Sequence, residues 1–491
     1  MKTKNIAIVG GGTAGLVTAL ILGVRYPKLK IDIIESDKIG IVGVGEGSTE
    51  HWKDFIQETN ISLKDLVNET DCTFKYGINF DNWHGDNTNY IHSVSTDLSV
   101  ESQTRSKVGY AHMIANGLGP KDIIHDYIEP SLHIEPFWGV NQFHFDTMKL
   151  NTFLHSVCEK RNISIIKAEI ENVKLDSDGA VEELVTSDGQ IFKYDFYIDS
   201  TGFHRLIMQK TMGIGWKSYS EYLPVNSAFA FPTEGTEDIP SWTLAKAMKA
   251  GWLWRIPTQS RYGNGYVYSD KYTTFEEAKA EVEELYGHPI DVRKEFKFDA
   301  GRLEKFWHKN CAAVGLSSSF IEPLEASSIG STIVQALELA SLLASYIPGN
   351  TYSEEKFNKF STEVVDNIVD YVALHYITKR EDSDFWKDAK NLPKPPGLEK
   401  LLEIYKHKFP SEAEFRNRSL MFKESNWIVV MHGLGLIDPK VAQEEVDMQN
   451  DYMIENLYHN LTYRQEDENR YEKFSHRYAL EWMKTTKEIY Q

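Results

Sequence analysis

The 491-residue sequence is poor in cysteine and in net positive charge. Its three cysteines, Cys72, Cys158 and Cys311, are odd in number and far apart, and no Cys-x-x-Cys motif occurs. This pattern argues against a disulfide framework, a structural zinc site or any other metal site, and it predicts small buried apolar side chains instead. The formal net charge of −19 gives the chain no electrostatic reason to bind nucleic acid or an anionic membrane.

Long apolar runs are also missing, because none approaches the roughly 18 residues that a transmembrane helix needs. The first residues lead directly into a strand pattern, without the features of a signal peptide. We therefore expect a soluble cytoplasmic protein with no membrane partner. A chain of 491 residues with 41% apolar and 12% aromatic residues is long enough for two or three lobes around a large core.

The sequence begins with the pattern of a β-α-β unit. The segment 5–10 is a short apolar strand, 11–26 carries a glycine turn into a helix, and 31–36 is a second strand. A polar region of short mixed segments follows from about 80 to 150, and 191–202 is predicted as one further strand that ends in a turn.

Sheet and helix signals separate in the rest of the chain. Alternation between about 216 and 300 predicts sheet, interrupted by one helix at 273–287, whereas 331–347 and 353–377 have the apolar stripes of helices. We expect an α/β core with an inserted sheet lobe in residues 1–350. A helical lobe in residues 351–491 is expected to cover the substrate pocket.

A glycine motif lies between the first strand and the first helix. Gly10-x-Gly12-x-x-Gly15 is followed 20 residues later by Glu35, at the end of the second strand. In such a unit the glycines make the tight turn, admit a pyrophosphate and pack helix against strand, while the acid holds a ribose hydroxyl. The acid at position 35 favours FAD or NAD(H) over NADP(H).

Two later segments favour FAD. The segment 194–202 has the form of the strand that returns to the nucleotide in flavoproteins of the glutathione-reductase class, and 311–320 is a strand followed by a glycine-containing turn. The expected FAD contacts in these loops are Gly10, Gly12, Thr13, Ala14, Gly15, Glu35, Gly315 and Leu316.

Three further motifs resemble those of the flavin-dependent halogenases, the group that includes the tryptophan halogenases. They are GVGEGS at 43–48, GWLWRIP at 251–257 and GLSSSFIEPLEASSI at 315–329. Segments 73–83, 143–146 and 375–386 are similar to family segments as well. The resemblance implies a flavin-monooxygenase-like core and adds Gly45 and Glu46 to the expected FAD contacts.

The resemblance implies a reaction with reduced FAD, O₂ and a halide ion. Hypohalous acid made at the flavin crosses an internal tunnel to a separate pocket for a small aromatic substrate. The reduced flavin is expected from a separate NAD(P)H-dependent reductase, because no second nucleotide motif occurs. Self-association is common for soluble enzymes of this size, and a homo-oligomer is therefore possible.

Two residues match the catalytic pair of the family. Lys75 in TFKYG aligns with the catalytic lysine, and Glu325 in EPLE aligns with the active-site glutamate. An ammonium can polarise hypohalous acid or be halogenated by it, and a carboxylate can orient the lysine or accept the ring proton. If both groups are desolvated, their pKa values should be perturbed and coupled.

The halide site departs from the family pattern. The family reads Glu-Ser-Thr-Gly, whereas this chain reads Glu325-Ala326-Ser327-Ser328. Ser327 and Ser328 are the expected halide contacts. Without the glycine the backbone at this site has fewer allowed conformations, and the two serine hydroxyls add hydrogen-bond donors. The preferred halide can therefore be chloride, bromide or iodide.

The signature motif Trp252-x-Trp254-x-Ile256-Pro257 predicts a wall between the flavin and the organic substrate. Such a wall admits a small halide and excludes direct oxygenation of an arene. Large aromatics that fill one face of a sheet are the alternative, and one ring can pack while the other lines the tunnel.

The substrate is less defined by the sequence. The stretch 407–427 lacks a convincing version of the segment that grips free tryptophan, although Phe422 and Trp427 are candidates to stack on an arene. An electron-rich indole or phenol is the expected class. A flavin monooxygenase that hydroxylates or epoxidises is the alternative function, and a non-catalytic dinucleotide-binding protein is the third.

Overall fold

The computed structural model describes residues 3–40, 45–93, 100–117, 142–417, 420–450, 452, 454 and 475–485. The strands in the first part of the chain are β1 (Asn5–Val9), β2 (Lys30–Glu35), β3 (Glu46–Gly47), β4 (Thr73–Phe74), β5 (Gly77–Asp81), β6 (Asn89–Ser93), β7 (Phe143–Phe145), β8 (Ser164–Lys167), β9 (Ile170–Leu175), β10 (Val181–Thr186), β11 (Ile191–Phe192) and β12 (Phe196–Asp199). They are followed by β13 (Trp216–Ser218), β14 (Ser227–Glu234), β15 (Trp242–Met248), β16 (Gly251–Pro257), β17 (Arg261–Tyr268), β18 (Lys294–Lys297), β19 (Gly301–Leu303), β20 (Trp307–His308), β21 (Cys311–Ala313) and β22 (Ser319–Phe320).

The helices alternate with these strands early in the chain and replace them towards its end. They are α1 (Thr13–Arg25), α2 (His51–Thr59), α3 (Leu63–Glu69), α4 (Val100–Ala115), α5 (Thr147–Lys160), α6 (Phe275–Tyr286), α7 (Ser327–Leu343), α8 (Tyr352–His375), α9 (Asp384–Lys390), α10 (Pro396–Tyr405), α11 (Glu424–Gly433), α12 (Pro439–Asp447) and α13 (His476–Thr485).

A six-stranded sheet in the order β20-β21-β12-β1-β2-β8 forms the α/β core. β1 pairs in parallel with both β2 and β12, and β12 pairs in parallel with β21. These strands are buried apolar runs, as is usual when helices cover a parallel sheet. The predicted β-α-β unit is therefore β1-α1-β2.

One predicted strand is wrong in extent. The segment 191–202 is two strands, because β11 pairs antiparallel with β10 in a separate small sheet and β12 joins the core sheet beside β1. The two strands belong to different sheets, so the chain has to turn between them.

The inserted lobe contains a seven-stranded sheet in the order β18-β14-β17-β16-β15-β5-β6. Sheet between 216 and 300 was predicted, and the helix within it, α6, begins at a capping box formed by Thr274 and Glu277. β5 and β6 come from the region that the sequence indicates only as short mixed segments. The parallel pairing of β5 with β15 carries Lys75, two residues before β5, towards this sheet.

From residue 351 onward the described part of the chain is helical, with no strand among its elements. The boundary at residue 350 itself stays a prediction, as does the extent of the lobe that covers the pocket. The three cysteines are all free and buried, as expected.

One stretch of the described residues, Leu324–Leu343, is long and apolar enough to cross a membrane by length and composition alone, against the expectation that none is. An 18-residue window of this stretch has a mean hydropathy of 1.2, but the stretch is not one continuous helix, because Glu325 and Ala326 are left-handed and α7 begins at Ser327. In addition, 61% of that window is buried within the protein, where α7 packs against both α1 and α8. The apolar surface of this helix is thus accounted for by the core, and the cellular compartment stays a prediction.

Candidate active site

The glycine turn before α1 is shaped by backbone contacts that exclude side chains. Gly10 has φ +114°, and a Cβ added there would lie 2.2 Å from the carbonyl oxygen of Ser200. A Cβ at Gly15 would lie 2.1 Å from the oxygen of Gly10. Gly12, by contrast, faces open space and is the N-cap of α1 without a capping side chain. The first N–H groups of α1, from Thr13 onward, are therefore available to an anion.

A second glycine-containing turn meets the first. Gly315 has φ +61°, and a Cβ there would lie 2.4 Å from the Cβ of Ala14. Leu316 belongs to the same 3₁₀ turn, Gly315–Ser317. These contacts bring together two segments that are 300 residues apart in the sequence. The cradle fits a dinucleotide by shape, because glycine occupies the positions where a side chain would close it.

Glu35 lies beside this turn with its carboxylate already engaged. Oε2 contacts Nε2 of His155 at 3.0 Å, and Oε1 accepts a hydrogen bond from Lys167. A Cβ at Gly11 would meet Oε2 directly. The carboxylate thus has the position expected of a ribose ligand, while that role stays a prediction.

Gly45 adjoins the sheet of the inserted lobe, and Glu46 follows it in the short strand β3. Residues 43 and 44 of the GVGEGS motif lie outside the described residues. A Cβ at Gly45 would lie 3.6 Å from Ile256 Cγ2, and Glu46 pairs with Phe145. Burial raises the pKa of the Glu46 carboxyl to about 7, and its Oε2 has no hydrogen-bond partner. An unpartnered buried oxygen here fits a site that a polar cofactor completes.

The signature motif forms β16, in the middle of the seven-stranded sheet. Trp252, Trp254 and Ile256 alternate with Leu253, so the three share one face, towards the main core, while Leu253 packs in a separate core on the other. Trp252 is 2% and Trp254 8% exposed, and their ring centroids lie 6.2 Å apart. Both rings are therefore core residues, and their role as a tunnel wall stays a prediction.

A buried glutamate holds one of the two rings. Trp252 Nε1 donates to Oε1 of Glu322 at 3.0 Å, and the hydroxyl of Tyr376 donates to the same oxygen at 2.9 Å. Burial raises the pKa of Glu322 to about 7, against the lowering effect of these two hydrogen bonds. Pro257 is the last residue of the signature motif, and its carbonyl oxygen accepts a hydrogen bond from Thr73. β16 therefore also contacts the segment that leads to Lys75.

Lys75 is buried, with 2% of its surface exposed. Its Nζ donates to the carbonyl oxygen of Ser48 at 2.8 Å. Desolvation lowers the pKa of Lys75 to about 8, although Glu325 and Glu50 act in the opposite direction. Lys75 therefore changes its charge near pH 8. A perturbed pKa of this kind is what the sequence predicts for a desolvated lysine.

Glu325 is also buried and has an unusual backbone. It and Ala326 have φ values of +63° and +53°, two consecutive non-glycine residues in the left-handed region, immediately before α7. Such conformations are costly and persist where the surroundings enforce them.

Two histidines hold the Glu325 carboxylate. His92 Nδ1 lies 2.9 and 2.8 Å from its two oxygens, and His375 Nε2 lies 2.9 Å from Oε1. Desolvation opposes ionisation, but the histidines outweigh it and hold the pKa of Glu325 well below its usual range. The sequence did not single out either histidine, although the family-like segment 375–386 begins at His375.

Lys75, Glu325 and His92 line one pocket, whose volume is about 270 Å³ when the part that opens to solvent is included. Phe422 lines it as well and stacks on Tyr371 at 4.1 Å. Trp427 is fully buried against Tyr371 and Phe415 and belongs to the core. The complete lining of this pocket is Thr49, Glu50, Lys75, Ile78, His92, Gln142, Glu325, Phe422 and Asn426.

Ser327 and Ser328 open α7 next to this pocket. The helix N-cap is Ala326, whose methyl group cannot cap the first N–H groups. A Cβ at Gly47 would lie 3.2 Å from the Ala326 Cβ and 3.6 Å from Lys75 Nζ. The start of α7 therefore adjoins the lysine, separated only by a glycine, and halide binding by the two serines stays a prediction.

Comparison with known proteins gives a consistent family. Residues 5–451 match the tryptophan halogenase family model. The chain is 30% identical over 445 residues to the 7-chloro-L-tryptophan 6-halogenase KtzR of Kutzneria sp. (strain 744), which covers 82% of this chain and 85% of that protein.

Solved structures agree. Tar14, a tryptophan C-6 flavin-dependent halogenase from taromycin biosynthesis, is 26% identical with a TM-score of 0.87, covering 98% of this chain and all of Tar14. Xcc4156, a flavin-dependent halogenase from Xanthomonas campestris, is 28% identical with a TM-score of 0.85 and covers 98% of each chain.

These likenesses extend over nearly the whole chain rather than over the nucleotide-binding unit alone. They support the glutathione-reductase-type core and halogenation of an aromatic substrate, and they favour neither the hydroxylating monooxygenase nor the non-catalytic alternative. The chain is an enzyme of the tryptophan halogenase family.

Proposed function

We propose that this enzyme uses reduced FAD, O₂ and a halide to halogenate an electron-rich indole or phenol in the pocket of Lys75 and Glu325. The observation that carries the proposal is the buried ammonium of Lys75, which lines the same pocket as the Glu325 carboxylate. A desolvated lysine with its pKa lowered to about 8 has little structural reason to be there.

FAD would bind between the two glycine loops. The N-terminus of α1 and Gly12 would hold the pyrophosphate, and Glu35 the ribose. Gly45, Glu46, Gly315 and Leu316 would contact the rest of the cofactor. When bound in its reduced form, FAD supplies the two electrons that turn O₂ and halide into hypohalous acid.

Lys75 would act on hypohalous acid in the pocket. Its ammonium donates a hydrogen bond to the oxygen of the acid and so polarises the oxygen–halogen bond. The arene carbon forms a bond to the halogen, the oxygen–halogen bond breaks, and the oxygen leaves as water with a proton from Lys75. Glu325 accepts the ring proton, which restores aromaticity, and that proton returns to Lys75.

The remaining motif residues would control access. Trp252 and Trp254, with Ile256 and Pro257, would separate the flavin from the arene. The first turn of α7, with Ser327 and Ser328, would hold the halide through N–H and hydroxyl donors.

A separate NAD(P)H-dependent reductase would supply the reduced flavin. We expect a small substrate, because the pocket is small. The carboxylate of Glu50 on its wall favours a neutral or cationic arene over an anionic one.

The test is a reconstituted reaction of the purified protein with FAD, a flavin reductase and NADH in air. Indoles and phenols are offered with chloride, bromide or iodide in separate reactions, and products are identified by mass spectrometry. We expect halide-dependent mass shifts that vanish in Lys75→Ala and persist in Lys359→Ala, whose lysine is 75% exposed. Oxygenated products without halogen would instead support a monooxygenase. Full activity of Lys75→Ala would point to free hypohalous acid in solution.

A further inference from the structure

His375 contacts Glu325 from outside the set of residues that line the pocket. It is the last residue of α8, and its side chain is fully buried. It does not line the pocket, whereas Glu325 and His92 do. Its contacts with Glu325 and with its own helix define which of its nitrogens carry protons.

Both nitrogens of His375 face acceptors. Nδ1 lies 2.8 Å from the carbonyl oxygen of Tyr371, and this oxygen can only accept, so Nδ1 carries a proton. Nε2 lies 2.9 Å from Oε1 of Glu325. If Glu325 is ionised and Nε2 bare, two lone pairs face each other in a buried site, which is unfavourable. One proton must therefore lie between Oε1 of Glu325 and Nε2 of His375. We call it the axis proton.

The second histidine does not supply that proton. Asn426 Oδ1 accepts the N–H of Lys423 at 2.9 Å, so its Nδ2 group faces Nε2 of His92, 3.1 Å away. Nε2 of His92 is thus an acceptor, and the proton of this neutral ring is on Nδ1. That N–H donates to both oxygens of Glu325, an arrangement that suits a carboxylate better than a carboxylic acid.

Aromatic rings surround His375. The ring of Phe80 lies 4.9 Å away by centroids, Tyr371 5.1 Å and Trp83 6.2 Å, the first tilted to the imidazole and the other two in edge contact with it. These rings shield the contact of His375 with Glu325 from water.

We propose that His375 is a positioning residue that carries the axis proton as an imidazolium and thereby keeps Glu325 ionised towards the pocket. This inference deepens the proposed function and rests on it for its catalytic meaning. The ion pair of His375 and Glu325 is neutral as a unit. Lys75 is then left as the positive group at the pocket wall, where its ammonium can donate a hydrogen bond to the oxygen of the oxidant.

Several other groups share this electrostatic environment. Lys75 and Glu50 face Glu325 from across the pocket, Tyr90 and His92 approach from β6, and Tyr371 lies one turn earlier on α8. The Tyr371 hydroxyl donates to the Asn426 carbonyl at 3.1 Å and does not compete for the axis proton.

The first test is NMR on the full-length protein with ¹⁵N-labelled histidine rings, at pH 7.5. We expect a ring with both nitrogens protonated, whose signals disappear in His375→Gln. His476 is an internal reference, because its Nε2 accepts the N–H of Phe74 and its Nδ1 faces the Ile239 carbonyl, which makes it neutral. A His375 ring with one bare nitrogen would overturn the proposal.

Glu325→Gln provides a second arm that does not require His375 to be replaced. A carboxamide N–H can donate to a bare Nε2, so His375 should become neutral in this variant while His476 is unchanged. An unaltered His375 ring would contradict the proposal. Neither arm depends on halogenation, so a protein without halogenase activity would refute the proposed function and leave this measurement intact.

The activity arm uses His375→Gln in the reconstituted reaction. We expect kcat to fall at least about tenfold with little change in the KM of the arene, and the acid limb of the pH profile to move to higher pH. His308→Gln is the matched control, because it removes a histidine that contacts Glu354 at 3.1 Å elsewhere on the protein. An unshifted pH profile in His375→Gln would show a merely structural role.

Discussion

At the scale of single residues, charge on Glu325 is the property most open to test. Glu325→Gln preserves the volume of the side chain and removes the carboxylate that the two histidines hold. We expect kcat for halogenation to fall by roughly 10²-fold or more, because general acid–base groups contribute about that much. Product formation by mass spectrometry measures it. Glu295→Gln, at an exposed position of β18, should leave the rate unchanged, and an equal loss there would contradict a specific role.

The lowered pKa of Lys75 predicts a pH dependence. An ammonium is present below about pH 8 and is lost as pH rises through that value. If the charged lysine polarises the oxidant, kcat of the wild-type reaction, measured by product formation at a series of pH values, should therefore fall above about pH 8. A rate that rises through the same pH would instead favour halogenation of the neutral amine.

Some of these residues could be found from the sequence and others could not. Lys75 and Glu325 sit in short motifs, TFKYG and EPLE, that carry their own signature. His92, however, reaches Glu325 across 233 positions and Glu322 reaches Trp252 across 70. A histidine in NYIHS has no local mark of this contact, because only the tertiary fold brings β6 to the turn that carries Glu325.

At the scale of elements, α13 is tied to the segment that carries Lys75. His476 Nε2 accepts the N–H of Phe74 at 2.9 Å, and the two rings stack at 5.5 Å. His476→Ala should lower the free energy of unfolding by about 1–3 kcal/mol, because it removes one partner of a buried hydrogen bond. Urea unfolding measures the change. Lys484→Ala, in the same helix, should cost far less, since it breaks only an i,i+3 ion pair at the surface.

The same histidine predicts how stability changes with pH. Burial lowers the pKa of His476 from 6.5 to about 4, so the unfolded chain binds the proton first as pH falls. Its contribution is therefore complete above about pH 6.5 and is lost as pH falls towards about 4. Between these values the wild-type protein should lose more stability than His476→Ala, and parallel curves would contradict this assignment.

The glycine turn before α1 allows a test of the cofactor site that separates binding from folding. Gly12 has φ −71° and ψ 174°, an ordinary extended conformation, and faces open space. Gly12→Ala should keep the thermal unfolding midpoint of the FAD-free protein and weaken FAD binding at least about tenfold, because a methyl group would meet the pyrophosphate. Flavin fluorescence titration measures the affinity. Unchanged affinity would show that FAD binds elsewhere.

Elements with strong local signals were the predictable ones. β1, α1 and β2 carry a glycine motif and apolar runs, and α6 carries a capping box and ends at Gly287 in the left-handed region. β5 and β6 carry no such signal. Their sequences, GINFD and NYIHS, mix polar and apolar residues, and β5 becomes a strand through its parallel pairing with the distant β15.

At the scale of the whole molecule, the net charge of −19 should select among substrates. A negative protein slows the approach of anions, and salt screens this effect. For an indole that the enzyme accepts, we expect a higher KM for the acetate than for its uncharged acetamide, with a ratio that shrinks as ionic strength rises. A ratio independent of salt would attribute the difference to contacts within the pocket, such as Glu50. Self-association stays a prediction at this scale.

The contact between His476 and Phe74 joins two points 402 residues apart. A ribosome makes Phe74 and Lys75 early and supplies α13 only after the core sheet and the inserted sheet have been synthesised. This contact of the lysine segment therefore forms late, in an order that synthesis imposes. A nascent chain that does not yet include α13 should hold the segment around Lys75 less firmly than the full-length protein does.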